Sequence, residues 1–306
     1  MNYRHAYHAG NFADVLKHAV LALVIEHLKR KPAPFRVIDT HAGRGLYRLD
    51  DEAALKTGEW RTGIGRLLGP DARPMPDQIA QLLSPYLAQV RLVNPNGGLT
   101  LYPGSPLLAL GLMRGQDYLV ANELHGDDGR ALKAALAHDL RAKVLNLDAW
   151  VALKSLLPPK ERRGVVLVDP PFEATGELER LAEGLTEAVQ RFATGCYLLW
   201  FPVKEASTLT RLVAALPRAD ADKLLLVELR VQALETSLKL AGSGLAILNP
   251  PHPLKGQLDA LLPFLVDRLA QGSGAGARVV AANNLVGAGR GEPVAARASR
   301  SKRRDT

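Results

Sequence analysis

The residues Asp169, Pro170, Pro171 and Phe172 carry the strongest chemical signal in the sequence. They follow residues 165–168, an apolar run that predicts a buried strand. The Asp169 carboxylate and the Pro170 carbonyl both accept hydrogen bonds, and proline has no N–H that would compete with them. The Phe172 ring offers a flat face. This group suits a planar substrate with an exocyclic amine, because two acceptors hold the amine while the ring stacks.

The tetrapeptide alone leaves a second interpretation open. Asp-Pro turns are common, and the same residues fit a turn that ends a strand and packs its phenylalanine. A second proline pair lies in Asn249-Pro250-Pro251-His252, after the apolar run 244–248. Because this segment lacks an aromatic residue, we interpret it as a turn that ends a strand.

The composition fits one large domain, or one domain with a smaller insertion, because 47% of the 306 residues are hydrophobic. The single cysteine, Cys196, excludes a disulfide framework and favours a reducing compartment, so we expect a cytoplasmic protein. The polar first residues do not resemble a signal peptide, and the longest apolar stretch, residues 19–25, is too short to cross a bilayer. His5 and His8 have no cysteine or further ligand cluster nearby, so we expect no metal site.

Positive charge is concentrated near the end of the chain. The net charge is +8 and the pI is near 9.6, which favours a polyanionic partner. Residues 272–306 hold seven Arg or Lys residues against two acids, so +5 of the +8 lies in a Gly-, Ala- and Ser-rich segment that cannot bury a core. We therefore predict a basic, disordered tail there. Binding of nucleic acid and a merely solvated extension both remain open for this tail.

Strands and helices alternate along the chain, which predicts an open, mostly parallel α/β sheet with helices on both faces. The predicted strands span residues 35–39, 118–122, 143–147, 164–168, 195–201, 223–229 and 244–248. The predicted helices span residues 13–30, 105 onward, 127–139, 177–191, 204–216 and 254–270. Residues 50–104 interrupt this alternation with six prolines, so we interpret them as a small inserted helical subdomain. The main domain then comprises residues 1–49 and 105–271.

An acidic residue lies at the end of four predicted strands: Asp39, Glu123, Asp148 and Asp169. Ligands of such sheets bind at the carboxyl ends of the strands, so these acids predict one crevice. The loop after the first strand, residues 39–45, contains two glycines that let the backbone approach a ligand closely. It lacks the full G-x-G-x-x-G pattern, so a simple turn between strand and helix also fits.

Several blocks of the sequence are more specific than these single features. The stretch from Tyr3 to His18 has the sequence YRHAYHAGNFADVLKH. Further blocks are Asp39-Thr40-His41-Ala42-Gly43, Tyr102-Pro103-Gly104-Ser105-Pro106, Asn122-Glu123-Leu124-His125 and Asn249-Pro250-Pro251. Together they resemble the RlmJ family, bacterial methyltransferases that modify the N6 amine of one adenine in 23S ribosomal RNA. The resemblance covers the chain from Tyr3 to about Pro251. It implies a Rossmann-like class I methyltransferase fold with S-adenosyl-L-methionine as cofactor.

The resemblance also implies roles for individual residues. The S-adenosylmethionine contacts would be His18, His41, Ser105, Glu123, Asp148 and Ala149. Asp169 and the Pro170 carbonyl would accept hydrogen bonds from the adenine amine, and Phe172 would stack on the base. Tyr3 and Lys17 would belong to an N-terminal segment that lies over the active site and meets the RNA. Phe172 stands where tyrosine is frequent, which removes a hydroxyl and keeps the stacking face, and Ala149 stands where glycine is frequent.

Three functions remain open at this point. Asp169 does not separate an RNA from a DNA adenine, because both present the same amine, and the resemblance of residues 1–18 alone favours RNA. A basic RNA-binding protein without activity would bind no cofactor, and the acids at the strand ends disfavour it. We therefore expect methyl transfer to 23S rRNA by a monomer, with no membrane and no metal involved.

Overall fold

The structure is a computed structural model that describes residues 4–173, 176–205, 208, 211–212, 223–234 and 240–281, with only the backbone of Leu178. Tyr3 and most of the predicted helix 204–216 lie outside the described residues. Across these ranges no helix has the length and hydropathy needed to cross a bilayer.

The described strands form one large and one small sheet. They are Arg36–Asp39 (β1), Leu46–Arg48 (β2), Leu101–Pro103 (β3), Tyr118–Asn122 (β4), Ala142–Leu145 (β5), Gly164–Val168 (β6), Cys196–Val203 (β7), Leu224–Arg230 (β8), Gly242–Leu248 (β9) and Gly276–Ala281 (β10). The large sheet has eight strands in the order β10-β8-β9-β7-β6-β1-β4-β5, and β2 pairs with β3 in the small sheet.

The described helices pack on both faces of the large sheet. They are Phe12–Lys29 (α1), Glu52–Thr57 (α2), Glu59–Thr62 (α3), Gly65–Leu68 (α4), Asp77–Leu92 (α5), Ser105–Leu112 (α6), Gly126–Leu136 (α7), Ala149–Leu156 (α8), Glu177–Arg191 (α9) and Leu254–Leu269 (α10), besides a 3-10 turn at His5–Tyr7. One core joins α1, α5, α6 and α10 to the sheet, and a second core joins α8 and α9 to the opposite face.

The strand order explains why one edge of the sheet can hold a ligand. Strands β5, β4, β1, β6 and β7 are parallel in that order, and β9 runs antiparallel between β7 and β8. The connections after β1 and β6 leave in different directions, because the strand order reverses between these two neighbours. The prediction of an open, mostly parallel α/β sheet is confirmed.

Helix α1 is nearly surrounded by protein. Asn11 caps it, because Asn11 Oδ1 accepts hydrogen bonds from the backbone N–H groups of Ala13 at 2.9 Å and Asp14 at 3.0 Å. The polar Asp14, Lys17 and His18 are as buried as the leucines around them. Buried charges need partners, so these three residues point to a polar site beside the helix.

The predicted insertion, residues 50–104, shares the core of the main domain. Helix α5 packs against α1, α6 and α10, and its buried face includes Leu83, Tyr86 and Val90. Strand β3 pairs with β2, so the end of this segment returns to the residues that precede its start. The boundaries of this subdomain remain a proposal.

The first part of the predicted disordered tail contains regular structure. Residues 276–281 form β10, which pairs antiparallel with β8 at the edge of the large sheet. Glu228 is buried on β8 and accepts a hydrogen bond from Arg278 Nη2 at 2.8 Å. The prediction from composition was wrong here because an edge strand needs backbone pairing more than it needs apolar side chains. Residues 282–306 lie outside the described residues.

We expect β10 to contribute to stability although it lies in the basic segment. A chain that ends at Ala281 should have a free energy of unfolding within about 0.5 kcal/mol of that of the full chain. A chain that ends at Gln271 should lose about 2–4 kcal/mol, because β8 loses a neighbour and buried Glu228 loses Arg278. Urea unfolding followed by circular dichroism measures both differences. Equal stability of the two shortened chains would contradict the role of β10.

Candidate active site

A single crevice of about 1060 Å³ opens at the carboxyl ends of the parallel strands. Ten of the residues predicted from the sequence line its wall: Lys17, His18, His41, Ser105, Glu123, Asp148, Ala149, Asp169, Pro170 and Phe172. The strands β1, β4, β5 and β6, together with α1 and α6, bring them together. Tyr3 lies outside the described residues, so its role remains a prediction.

The acceptor corner of the crevice is an ionic cluster. Lys17 Nζ donates to Asp169 Oδ2 in a short contact and lies 2.9 Å from Asp14 Oδ1. Asp14 also accepts through Oδ2 from the Gly10 N–H and faces His5 Nε2, each at 2.9 Å. Burial acts against both charges. The neighbouring opposite charges outweigh it, so the pKa of Lys17 is raised and that of Asp14 is held well below its usual range.

Asp169 lies between this cluster and two aromatic rings. Register places it beside Trp200, since Val168 of β6 pairs with Leu199 of β7. Phe172 has a φ of 52°, a conformation that non-glycine residues rarely adopt, and such strain is concentrated at functional sites. The Phe172 and Trp200 rings meet edge to face, with centroids 5.7 Å apart. Trp200 Nε1 donates to Ser243 Oγ at 3.0 Å, which fixes the indole plane.

The loop after β1 and the end of β4 form the opposite half of the crevice. Gly43 has a φ of 60°, and its N–H donates to Glu123 Oε2 at 2.8 Å. A Cβ at this position would lie 2.1 Å from the Tyr47 hydroxyl oxygen, so the loop requires glycine here. Glu123 Oε1 accepts from the His125 N–H at 2.8 Å. Burial raises the pKa of Glu123 against these two hydrogen bonds.

Asp148 and Ala149 meet the crevice at the start of α8. Asp148 is the N-cap, and its Oδ1 accepts from the N–H groups of Trp150 at 3.0 Å and Val151 at 3.2 Å. The cap occupies Oδ1, so Oδ2 is the carboxylate oxygen that the cap leaves available. The Ala149 N–H belongs to the first turn of the helix, where backbone donors have no partner within the helix. This pair therefore offers an acceptor and a donor side by side.

Asp39 does not line the wall, although the sequence predicts four acids there. It ends β1 with 1% of its surface exposed, and its Oδ1 accepts from the His41 N–H at 3.3 Å. Its Oδ2 is buried without a hydrogen-bond partner. Burial raises the pKa of Asp39 to about 7, although the Ser105 hydroxyl opposes the shift. A cation in the crevice would favour the ionised form of Asp39.

His18 and Ser105 form the floor beside α5. His18 is 1% exposed, stacks on Tyr102 and faces its hydroxyl through Nδ1 at 2.7 Å. The Tyr86 and Tyr102 hydroxyls lie 2.9 Å apart. Burial lowers the pKa of His18 to about 3 and that of His41 to about 4, so both rings are neutral near pH 7.

The neutral state of His18 predicts a pH dependence of stability. Below its ordinary pKa of 6.5 the unfolded chain binds a proton at His18, whereas the folded protein does so only near pH 3. The free energy of unfolding should therefore fall on acidification, by about 2 kcal/mol from this residue between pH 6.5 and about pH 5. The variant His18→Gln should show a shallower decline in urea titrations. Parallel curves would contradict the shift.

Several other crevice residues are not among the site residues predicted from the sequence. They are His5, Asn11, Asp14, Tyr47, Glu59, Trp150 and Trp200. Trp200 lies in an apolar run, and Glu59 lies in the predicted insertion. A charged residue inside an apolar helix, as Asp14 is, was the one available clue. Cys196 is buried in β7. Asn249 directly follows β9, and its side-chain amide donates to the carbonyls of Ala193 and Gly195.

Comparison with known proteins decides what this crevice belongs to. A family model described as ribosomal RNA large subunit methyltransferase D, RlmJ, matches residues 32–281. The chain belongs to the RlmJ family. It is 41% identical over 269 residues to ribosomal RNA large subunit methyltransferase J of Escherichia coli (strain K12), covering 88% of this chain and 94% of that protein. The protein of the same name from Haemophilus influenzae is 39% identical over 276 residues, covering 90% and 96%.

A solved structure supports the assignment. Protein LPL1258 from Legionella pneumophila str. Philadelphia 1 superposes with a TM-score of 0.81 at 30% identity, covering 90% of this chain and 98% of that one. The RlmJ-family chain is thus an rRNA methyltransferase with S-adenosylmethionine as methyl donor. The predicted class I methyltransferase fold is confirmed.

The crevice suits S-adenosylmethionine, which carries positive charge on its sulfonium and its amine. Three acids from strand ends, Glu123, Asp148 and Asp169, line the wall. Asp39 lies behind them and holds a buried oxygen without a partner. Each Glu123 carboxylate oxygen accepts one backbone N–H and has a second lone pair that can accept from a ligand hydroxyl. The residues present therefore fit this cofactor.

Proposed function

We propose that this RlmJ-family protein methylates the N6 amine of one adenine in 23S rRNA, in the cytoplasm. The observation that carries the proposal is the position of Asp169. Its carboxylate and the Pro170 carbonyl lie in the same crevice as the residues suited to S-adenosylmethionine, beside two aromatic rings. An exocyclic amine is the substrate group that two such acceptors fit.

The cofactor half is assigned by the chemistry of its donors and acceptors. Glu123 would hold the ribose hydroxyls, and Asp148 Oδ2 with the Ala149 N–H would bind the adenine of the cofactor. His41 and the backbone of the Gly43 loop would cover its middle. His18 and Ser105 would complete the floor. Bound S-adenosylmethionine supplies a methyl group activated by its sulfonium.

The substrate half positions the target amine. The adenine leaves its stack and enters between the aromatic residues, with Phe172 against its face. Asp169 and the Pro170 carbonyl accept the two N6 hydrogens, which directs the nitrogen lone pair towards the cofactor half. Asp169 need not remove a proton first, because the amine becomes acidic only as it is alkylated. Position and electrostatics supply most of the acceleration.

Lys17 has a specific part in this scheme. It is buried against Asp169, so it faces the target amine from inside the crevice. Its positive charge lies against the Asp169 carboxylate, and entry of the amine requires Lys17 to yield part of its contact with Oδ2. Asp14 remains as its second partner. We therefore propose that Lys17 meets the target nucleotide rather than the outer surface of the RNA.

Methyl transfer from labelled S-adenosylmethionine tests the function. The substrates are unmodified, protein-free 23S rRNA, a DNA copy of the same sequence, and rRNA within purified ribosomal particles. We expect label in one adenine of the RNA, identified as N6-methyladenine by mass spectrometry. Label in the DNA copy alone would overturn the RNA assignment, and label on a ring nitrogen would overturn the amine assignment.

A further inference from the structure

One residue of the predicted insertion is bonded to both the N-terminal segment and the start of α1. Glu59, the first residue of α3, lies with Oε1 3.0 Å from His8 Nδ1. Its Oε2 accepts from Asn11 Nδ2 at 2.9 Å. The Glu59 side chain also lines the crevice wall. It therefore connects the inserted helices to the segment that enters the active site.

The contact with Asn11 reaches the catalytic cluster through α1. Asn11 uses its side-chain oxygen for the cap of α1 and its side-chain nitrogen for Glu59. A fixed cap sets where the helix begins and how it is rotated. The first turns of that helix carry Lys17, which pairs with Asp169, and Asp14, which pairs with Lys17. Displacement of Asn11 would therefore move the partners of the acceptor.

Backbone contacts bring the two segments unusually close. The Ile64 N–H donates to the Gly10 carbonyl at 2.8 Å, and the Thr57 hydroxyl donates to the Tyr7 carbonyl. A Cβ at Gly63 would lie 2.1 Å from the Gly10 carbonyl oxygen, so the approach depends on glycine. Residues 7–11 thus lie directly on α2, α3 and the turn before α4.

The charge state of Glu59 suits this attachment. Burial acts to raise its pKa, but the hydrogen bonds from His8 and Asn11 outweigh burial and lower it. The pKa of His8 is raised, chiefly by its hydrogen bond to Glu59. The carboxylate is thus the form that accepts from both partners at once, which an amide or a shorter side chain cannot fully replace.

We propose that Glu59 is a positioning residue for methyl transfer. It holds residues 8–11 and the cap of α1, and through α1 it sets Lys17 against Asp169 without touching the reacting atoms. The inserted segment accordingly supports the active site through this one side chain. The effect on rate rests on the proposed function, whereas the anchoring of residues 8–11 does not.

Two measurements on the full chain test this role. The variants are Glu59→Ala and Glu59→Gln, with Glu52→Ala as matched control, since Glu52 is an exposed acid of α2. Hydrogen exchange of the peptide covering residues 5–11 reports anchoring without any substrate. The single-turnover rate with saturating 23S rRNA reports positioning. The Kd for S-adenosylmethionine reports whether cofactor binding is intact, and the urea midpoint reports whether stability is intact.

For Glu59→Ala we expect exchange over residues 5–11 to rise about tenfold and the single-turnover rate to fall about tenfold. The cofactor Kd and urea midpoint should stay near wild type. Glu59→Gln should lie between, because its amide oxygen can still accept from Asn11, and Glu52→Ala should match wild type. The proposal would be overturned if exchange of residues 5–11 stayed unchanged or if exchange rose over the whole chain. It would also be overturned if exchange rose over residues 5–11 while the single-turnover rate stayed at the wild-type value. A wild type that anchors this peptide but methylates no RNA would instead overturn the proposed function.

Discussion

The variant Asp169→Ala should lose methyl transfer by a factor of about 10³ or more, while its Kd for S-adenosylmethionine changes less than about threefold. The target amine would lose the acceptor that orients its lone pair, and Lys17 would be left facing it with a positive charge. The cofactor contacts that we propose lie in the other half of the crevice, so cofactor binding should remain. Single-turnover methylation and isothermal titration calorimetry measure the two quantities.

Two further variants make this result specific. Asp169→Asn keeps one acceptor oxygen without the charge, so its rate should lie between wild type and Asp169→Ala. Asp259→Ala removes an exposed acid of α10 that pairs with Lys255, and it should leave the rate unchanged. A rate for Asp169→Ala within tenfold of wild type would exclude Asp169 as the main acceptor of the amine.

The variant Lys17→Met should cause the largest loss of stability among the site residues. The Lys17 side chain is 5% exposed and pairs with two carboxylates, and methionine has nearly its length without its charge. Its removal leaves Asp14 and Asp169 facing each other with less compensation, so we expect a loss of about 3–5 kcal/mol. Urea unfolding at pH 7 measures the difference.

A second substitution tests the cause of that loss. In Lys17→Met with Asp14→Asn one buried charge is removed, so the double variant should recover at least about 1 kcal/mol relative to the single variant. Lys255→Met, at an exposed ion pair of α10, should stay within about 0.5 kcal/mol of wild type. A loss for Lys17→Met no larger than that of Lys255→Met would show that the buried cluster contributes little.

The sequence predicts the sheet well because parallel strands are buried on both faces and appear as apolar runs between helices. The acids at the ends of β4 and β6 mark the crevice for the same reason. It does not predict that Asp39 lies behind the wall, because the burial of a strand-end side chain depends on the neighbouring elements. Trp200 is missed as well, since an aromatic residue in an apolar run is indistinguishable from core.

Long-range contacts account for the other differences. Glu59 meets His8 and Asn11 across about fifty residues of sequence, and no local pattern indicates such a pairing. The partners of Lys17 include Asp169, separated from it by 152 positions. Strand β10 depends on the exposed edge of β8, which exists only once the sheet has formed.

Helix α1 has a consequence for how the protein is made. It packs against α5 and α6, and also against β9 and α10, which lie more than 200 residues further along the chain. Part of its apolar surface therefore has no partner until β9 and α10 have been synthesised, and closing so long a loop is slow. The ionic cluster joins Asp14 and Lys17 of α1 to Asp169, which follows β6. The later elements β9 and α10 then pack against α1. We therefore expect the nascent chain to be inactive before β9 and α10 are present, and the uncovered part of α1 to be a segment that a chaperone would bind.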